Sequence, residues 1–92
     1  MPRTEIYFKS WCPYSQRALA LLRSKGIDFT PIDLTRDAAA EERDMRDRSG
    51  RTSVPQIFVG GRHLGGYDDI AALDAAGELD ALLFGEAALP TE

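Results

Sequence analysis

Only one cysteine, Cys12, and one histidine, His63, occur among the 92 residues. A single thiol cannot close an internal disulfide, which excludes a disulfide-stapled scaffold. One cysteine with one histidine also falls short of a zinc site's ligand set. Long apolar runs are missing too: nothing approaches the ~20 residues that span a bilayer. The opening Met1-Pro2-Arg3-Thr4-Glu5-Ile6 has no apolar h-region. Neither a membrane span nor an export signal is therefore expected, and the cytoplasm is the expected compartment. Nor is there a basic excess. Fifteen acidic against eleven basic residues give a formal net charge of −4. That argues against a general nucleic-acid or membrane binder, whose phosphate contacts favour a basic surface. No repeat, linker or low-complexity tract divides the chain, and its length suits a single domain over 1–92 with one core.

Glu5–Phe8 is short and rich in β-formers and reads as a strand. Helical spacing follows from Pro13. Tyr14, Ala18, Leu21 and Leu22 stand at i, i+4, i+7 and i+8, which predicts an apolar face lying on a sheet. Pro13 suits a first helical turn, where its missing N–H costs nothing, and Gly26 supplies the stop. Ile27–Leu34 reads as a second strand, with Pro31 at an edge or end because proline cannot donate to a ladder. Asp37–Ser49 predicts a helix anchored by Met45. Its i, i+4 pairs Glu42–Arg46 and Asp44–Arg48 mark a mainly solvated face. Gln56–Val59 is the strongest strand, Gly60-Gly61 a two-residue hairpin turn, and Arg62–Leu64 the antiparallel partner. Asp68 or Asp69 opens a third helix with Ile70 and Leu73. After Gly77 a last helical piece carries Leu79, Leu82, Leu83 and Phe84, and residues 86–92 are expected to fray. The order β-α-β-α-β-β-α predicts an α/β fold. Its sheet is four-stranded and mixed, with the first two strands parallel and helices on both faces.

Cys12 falls between the first strand and the first helix. A helix N-terminus presents unpaired N–H groups and roughly half a positive charge, which favours thiolate over thiol. Such placement, or a nearby cation, commonly lowers a cysteine pKa from ~8.5 to roughly 3.5–7.5. Lys9 can add that cation. A lone cysteine is otherwise most often a small buried hydrophobe. Cys12 belongs to the apolar face of neither element, so placement alone leaves the inert and the reactive readings both standing.

Ser53-Val54-Pro55 enters the strongest strand. A cis bond before Pro55 leaves the Val54 backbone able to pair with an extended peptide, as another strand would; a trans proline simply marks the strand start. In Gly65-Gly66-Tyr67-Asp68-Asp69, two glycines precede a helix start. A carboxylate can sit on the helix N-terminus and an ammonium on an Asp, so an amino-acid head group fits. A plain loop with an Asp cap fits as well. His63, beside the hairpin turn, reads as a surface residue rather than a base. Trp11 and Tyr14 read as an aromatic rim facing partner proteins, although Tyr14 also fits the helix's apolar face.

Together, Cys12-Pro13-Tyr14, Gly50-Arg51-Thr52-Ser53-Val54-Pro55-Gln56-Ile57-Phe58 and Gly65-Gly66-Tyr67-Asp68-Asp69 resemble the glutaredoxin family. The likeness is to the short bacterial dithiol type in particular and covers about residues 4 to 84. It implies a thioredoxin-like fold, a cis Pro55 and a glutathione-dependent thiol–disulfide oxidoreductase. Cys12 is then the attacking thiol, with Lys9 as its cation. Lys9, with Arg51 or Gln56, would face the glycine carboxylate of glutathione, and Tyr14 would line the groove. The Val54 backbone would pair with the cysteinyl moiety, and Ser53 and Pro55 would belong to the glutathione-binding set. Gly66, Tyr67 and Asp68 would hold the γ-glutamyl end.

Ser15 stands where dithiol members carry the resolving cysteine. Serine cannot form a disulfide, so the implied cycle is monothiol: Cys12 attacks a protein–glutathione disulfide, becomes glutathionylated and is released by a second glutathione. Ser15 is either the natural residue or a replacement that traps the mixed disulfide. The implied partners are glutathione, as co-substrate, and glutathionylated proteins, with a monomeric chain and no metal. Two other functions share these residues. One is a [2Fe–2S] carrier, in which two protomers each give a cysteine and two glutathiones complete the thiolates; Pro13, where such relatives typically have glycine, disfavours it. The other is a non-catalytic glutathione-binding module.

Overall fold

β1 (Thr4–Phe8) sends successive side chains to opposite faces, as the two-residue period of a strand requires. Ile6 enters one apolar core and Tyr7 another. The computed structural model describes residues 1–85; the tail expected to fray, 86–92, lies outside the described residues. After β1 come α1 (Pro13–Ser24), β2 (Thr30–Asp33), α2 (Ala39–Ser49), β3 (Gln56–Val59), β4 (Arg62–Gly65), α3 (Tyr67–Ala75) and α4 (Leu79–Phe84). The sheet runs β2-β1-β3-β4, with β1 and β2 parallel and the other pairs antiparallel. This is the α/β arrangement that the element order predicts and the thioredoxin-like fold that the family resemblance implies. Pro31 lies on the edge strand β2, opposite Ile6. Gly60 (φ 58°) and Gly61 (φ 82°) are both left-handed, the geometry of a two-residue hairpin turn that side chains other than Gly, Asn and Asp disfavour. No helix among the described residues is long and apolar enough to cross a membrane.

The larger core packs Ile6, Ile57 and Val59 of the sheet against Ala18, Leu19 and Leu22 of α1, Ile70 of α3, and Leu79 and Leu83 of α4. The smaller one, on the opposite face, joins Tyr7, Leu34 and Phe58 to Met45 of α2. Each fully buried Leu or Ile contributes about 1.5–3 kcal/mol, so the larger cluster dominates stability.

The structure departs from the sequence reading in several places, one being the start of α3 at Tyr67 with Gly66 as N-cap, where Asp68 or Asp69 is expected to open the helix. The buried face of α1 is Ser15, Ala18, Leu19 and Leu22, whereas Tyr14 is 50% exposed. Ser15 can turn inward because the backbone N–H of Lys9 donates to its hydroxyl at 3.2 Å, and a satisfied hydroxyl is tolerated inside. The second strand is only Thr30–Asp33. Ile27 and Leu34 are buried beside it, so their apolar character reports burial rather than membership of the ladder. α2 starts at Ala39 rather than Asp37, whose φ of 49° is left-handed. Its outer face is also less solvated than the charge pattern suggests. Arg48 lies 4.0 Å from the Phe58 ring centroid and donates to the Tyr7 hydroxyl at 2.7 Å and to Glu5 at 2.9 Å. The Tyr7 hydroxyl in turn donates to Asp44. A planar guanidinium can stack on an aromatic and still use its edge for hydrogen bonds, which makes Arg48 a lid on the smaller core.

Candidate active site

Cys12 is the N-cap of α1, in extended geometry (φ −85°, ψ 120°), with Pro13 at the first helical position. Its carbonyl accepts the first helical bond from the Gln16 N–H at 3.0 Å, and its own N–H donates to Lys9 O at 3.1 Å. The sulfur therefore sits where the unpaired N–H groups of the first turn point. Burial alone would push the thiol up. The N–H of Ser15, the hydroxyl of Ser15, the N–H of Tyr14 and the charge of Lys9 together outweigh it and hold Cys12 below its ordinary pKa. Ser15 thus accepts from the Lys9 backbone, and its hydroxyl favours the Cys12 thiolate. An inert core thiol has no such set of donors.

The Val54–Pro55 bond is cis. Cys12 Sγ lies 3.9 Å from the carbonyl oxygen of Val54, a residue that lines a groove of about 270 Å³; Cys12 itself is not among the lining residues. The groove is lined by Tyr14, Arg51, Ser53, Val54, Pro55, Gln56, Gly66, Tyr67 and Asp68, all expected from the sequence, and by Asp69. Tyr14 of α1 and Tyr67 of α3 face each other, with ring centroids 6.3 Å apart. A Cβ on Gly66 would stand 3.2 Å from the Pro55 carbonyl oxygen, so two backbones approach closely there and glycine is what fits.

Several side chains are engaged differently from the sequence reading. Lys9 is not among the groove-lining residues; its ammonium lies 5.7 Å from the centroid of the exposed Trp11 ring, and its charge acts on Cys12. The Arg51 guanidinium reaches Asp69 at 3.0 Å. Gln56 is 1% exposed, and its amide nitrogen donates to the Ser53 carbonyl at 3.0 Å. Two of the three groups expected to face a ligand carboxylate are therefore already paired within the protein. Asp69, absent from the expected site set, accepts the Gly66 N–H at 2.9 Å. That bond, and then the Arg51 pair, hold its carboxyl below the usual range. The signal was present: with Gly66 as N-cap, Asp69 is the third helical residue, the position from which an acidic side chain reaches back to a helix start.

His63 is not the surface residue that its place beside the turn suggests. Its ring centroid lies 4.9 Å from that of Phe58, and Nε2 is 2.6 Å from Gln56 Oε1. Burial, helped by the Arg51 charge, pushes the imidazole below its ordinary pKa. Trp11 and Tyr14 remain largely exposed beside Cys12, as an aromatic rim requires.

Comparison with known proteins gives this arrangement a lineage. The Glutaredoxin family model matches residues 4–64. Glutaredoxin 3 of Escherichia coli K12 is 54% identical over 83 residues, 90% of this chain and 99% of that protein. A glutaredoxin of Pseudomonas aeruginosa is 49% identical over 84 residues, 90% of this chain and 98% of that protein. Among solved structures, glutaredoxin from Brucella melitensis matches with a TM-score of 0.77 at 44% identity, covering 92% of each chain. Identity near one half over nine-tenths of the chain, on a shared fold, settles the kinship: this chain belongs to the glutaredoxin family and is a glutathione-dependent thiol–disulfide oxidoreductase.

Proposed function

We propose that the protein reduces protein–glutathione mixed disulfides by a monothiol cycle through Cys12, with the glutathionyl moiety held in the groove. The observation that carries this reading is the Cys12 sulfur itself. Its pKa is lowered, it lies 3.9 Å from the carbonyl oxygen of the groove residue Val54, and beside it stands the Ser15 hydroxyl instead of a second thiol.

The Cys12 thiolate attacks the glutathione sulfur of the mixed disulfide. The Cys12–glutathione bond forms, the bond to the substrate sulfur breaks, and the substrate leaves as a thiolate that takes up a proton. A second glutathione, as thiolate, then attacks the glutathione sulfur on Cys12. Oxidised glutathione departs and the Cys12 thiolate returns. Ser15 offers no sulfur to divert the intermediate, and this holds whether it is natural or a replacement.

The groove has the chemistry a tripeptide with a carboxylate at each end needs. The Val54 backbone pairs with the cysteinyl unit, and Ser53, Pro55 and Gln56 shape the floor beneath it. Gly66 and Tyr67, at the N-terminus of α3, take the γ-glutamyl carboxylate, and the exposed Asp68 takes its ammonium. Lys9 supplies positive charge for the glycine carboxylate, and Arg51 joins it on leaving Asp69. Tyr14 forms the side wall. The protein acts as a single-domain monomer. Dependence on reduced glutathione suits the cytoplasm.

Intact-mass measurement after treatment with oxidised glutathione tests the reading. One glutathione adduct is expected, removable by dithiothreitol and absent from Cys12→Ser, together with loss of turnover of a glutathionylated peptide in that variant. An unmodified native chain, or substantial turnover by Cys12→Ser, overturns it.

A further inference from the structure

We propose that His63 is a positioning residue for the groove, acting through the buried Gln56 amide on the Ser53–Val54 segment; the proposal rests on the glutathione-groove reading above. Gln56 opens β3 and is almost wholly buried. Its Nε2 donates to the Ser53 carbonyl at 3.0 Å and reaches the Ser53 hydroxyl at 3.4 Å. With the amide nitrogen so committed, Oε1 is the atom that faces His63 Nε2 at 2.6 Å. An amide oxygen only accepts, so His63 donates, and its neutral form carries the proton on Nε2. Burial and the Arg51 charge favour that neutral form. The ring is held from the other side by Phe58, its cross-strand partner in the β3–β4 register.

A chain of donors thus runs from His63 on β4, through Gln56 on β3, to Ser53. The next residue is Val54, whose carbonyl oxygen lies 3.9 Å from Cys12 Sγ. Without the imidazole donor, Gln56 Oε1 becomes a buried acceptor with nothing to accept. Such groups are rare because they are costly. The amide turns to find a partner, and Ser53 loses the bonds that fix it. His63 acts on ligand placement in this way and not on the reacting sulfur. The effect belongs in KM for the glutathionylated substrate and leaves the ionisation of Cys12 untouched.

Two substitutions separate this role from simple packing. His63→Phe keeps an aromatic ring on Phe58 and removes the donor. His63→Gln gives up the ring and retains an N–H at the same reach. With a glutathionylated peptide as substrate, the expected result is a rise in KM of about fivefold for His63→Phe, the worth of one net hydrogen bond. His63→Gln is expected to stay close to the parent. The Cys12 thiolate titration, followed in the ultraviolet, is expected to coincide in all three. A packing role gives the reverse order, and that order, or equal KM values throughout, overturns the proposal. Gln56→Met supplies a second route that does not depend on the Phe variant folding. It is expected to raise KM as His63→Phe does, and the double variant is expected to add nothing; additive effects refute the relay. Absence of peptide turnover in the unaltered chain fells the glutathione reading and this proposal together. Normal turnover with a KM indifferent to His63→Phe fells this one alone.

Discussion

Replacing Arg48 by alanine strips three interactions from the smaller core at once. The guanidinium pairs with Glu5 at 2.9 Å, with side chains 27% and 16% exposed. It donates to the Tyr7 hydroxyl at 2.7 Å and covers the Phe58 ring at 4.0 Å. Breaking a fully buried ion pair costs about 3–5 kcal/mol and an exposed one about 0–1. This pair is shielded but not dry, so about 1.5 kcal/mol is a fair share. The lost donor to Tyr7 adds about 1 kcal/mol and the lost stacking about 0.5. The sum is about 3 kcal/mol. For a domain of this size each kcal/mol moves Tm by about 4–8 °C, so Arg48→Ala is expected to melt roughly 12–24 °C early. Circular dichroism during heating, with a urea titration for the free energy, measures it. The double variant Glu5→Gln/Arg48→Met recovers much of the loss, because no charge is stranded and the methionine stem still covers Phe58. A fall below about 3 °C in Arg48→Ala is what an ordinary surface substitution gives, and it would refute the lid over this core.

Four further outcomes are expected. Iodoacetamide alkylation of Cys12 holds its rate as pH falls from mildly alkaline values and declines only on passing through the lowered thiol pKa; Ser15→Ala, which removes a donor to the thiolate, moves that inflection upward. A parent inflection at the ~8.5 of a free thiol contradicts the stabilised thiolate. Thr4 Oγ1 is buried with no hydrogen-bond partner among the described residues, so the isosteric Thr4→Val is expected to raise the urea-derived stability by about 1 kcal/mol; a loss shows instead that the hydroxyl is satisfied. A Cβ on Gly65 (φ +117°) would fall 2.2 Å from Asp69 Oδ2. Gly65→Ala therefore displaces the Asp69 carboxylate and costs about 2–3 kcal/mol, read by thermal melting, where an unchanged Tm refutes the clash. Asp69 has a folded-state pKa below its unfolded value, so its stabilisation is present above the unfolded value and is lost as pH falls through the folded one. The stability gap between the parent and Asp69→Asn narrows below about pH 4, modestly because the side chain is 45% exposed; a gap independent of pH rules this out.

Legibility in the sequence follows the range of the interaction. Pro13 at a helix start, Gly60-Gly61 between two apolar runs and Pro31 on an edge are local signals, and each falls where the structure has it. Ser15 is not legible, because hydropathy sends a serine outward. Its burial depends on the Lys9 N–H and the Cys12 sulfur meeting it in the preceding turn. Arg48 misleads for a related reason. Its i, i−4 neighbour Asp44 is visible at once but lies 3.9 Å away, while the nearer partners Glu5 and Tyr7 lie 43 and 41 residues back. Nine groove residues were anticipated because they stand in three contiguous motifs. Asp69 is not distinguished from its neighbour Asp68 in the sequence, because only the backbone, with Gly66 as N-cap, decides which of them reaches the Gly66 N–H. His63 needed knowledge of the β3–β4 register, which turns a residue beside a hairpin tip toward Phe58 and Gln56.

β1 is bonded to a strand on each side and carries a member of each core. Its amides can trade hydrogen for deuterium only when both neighbouring strands and both packed faces let go, which is the signature of global opening. The chain leaves this strand at Phe8 and arrives at Cys12 within four residues, so the nucleophile is moored by a short lead to the last part of the molecule to exchange. Fraying of α4 leaves that mooring intact. Under heat or denaturant, loss of thiolate character at Cys12 and collapse of β1 protection then occur as one event.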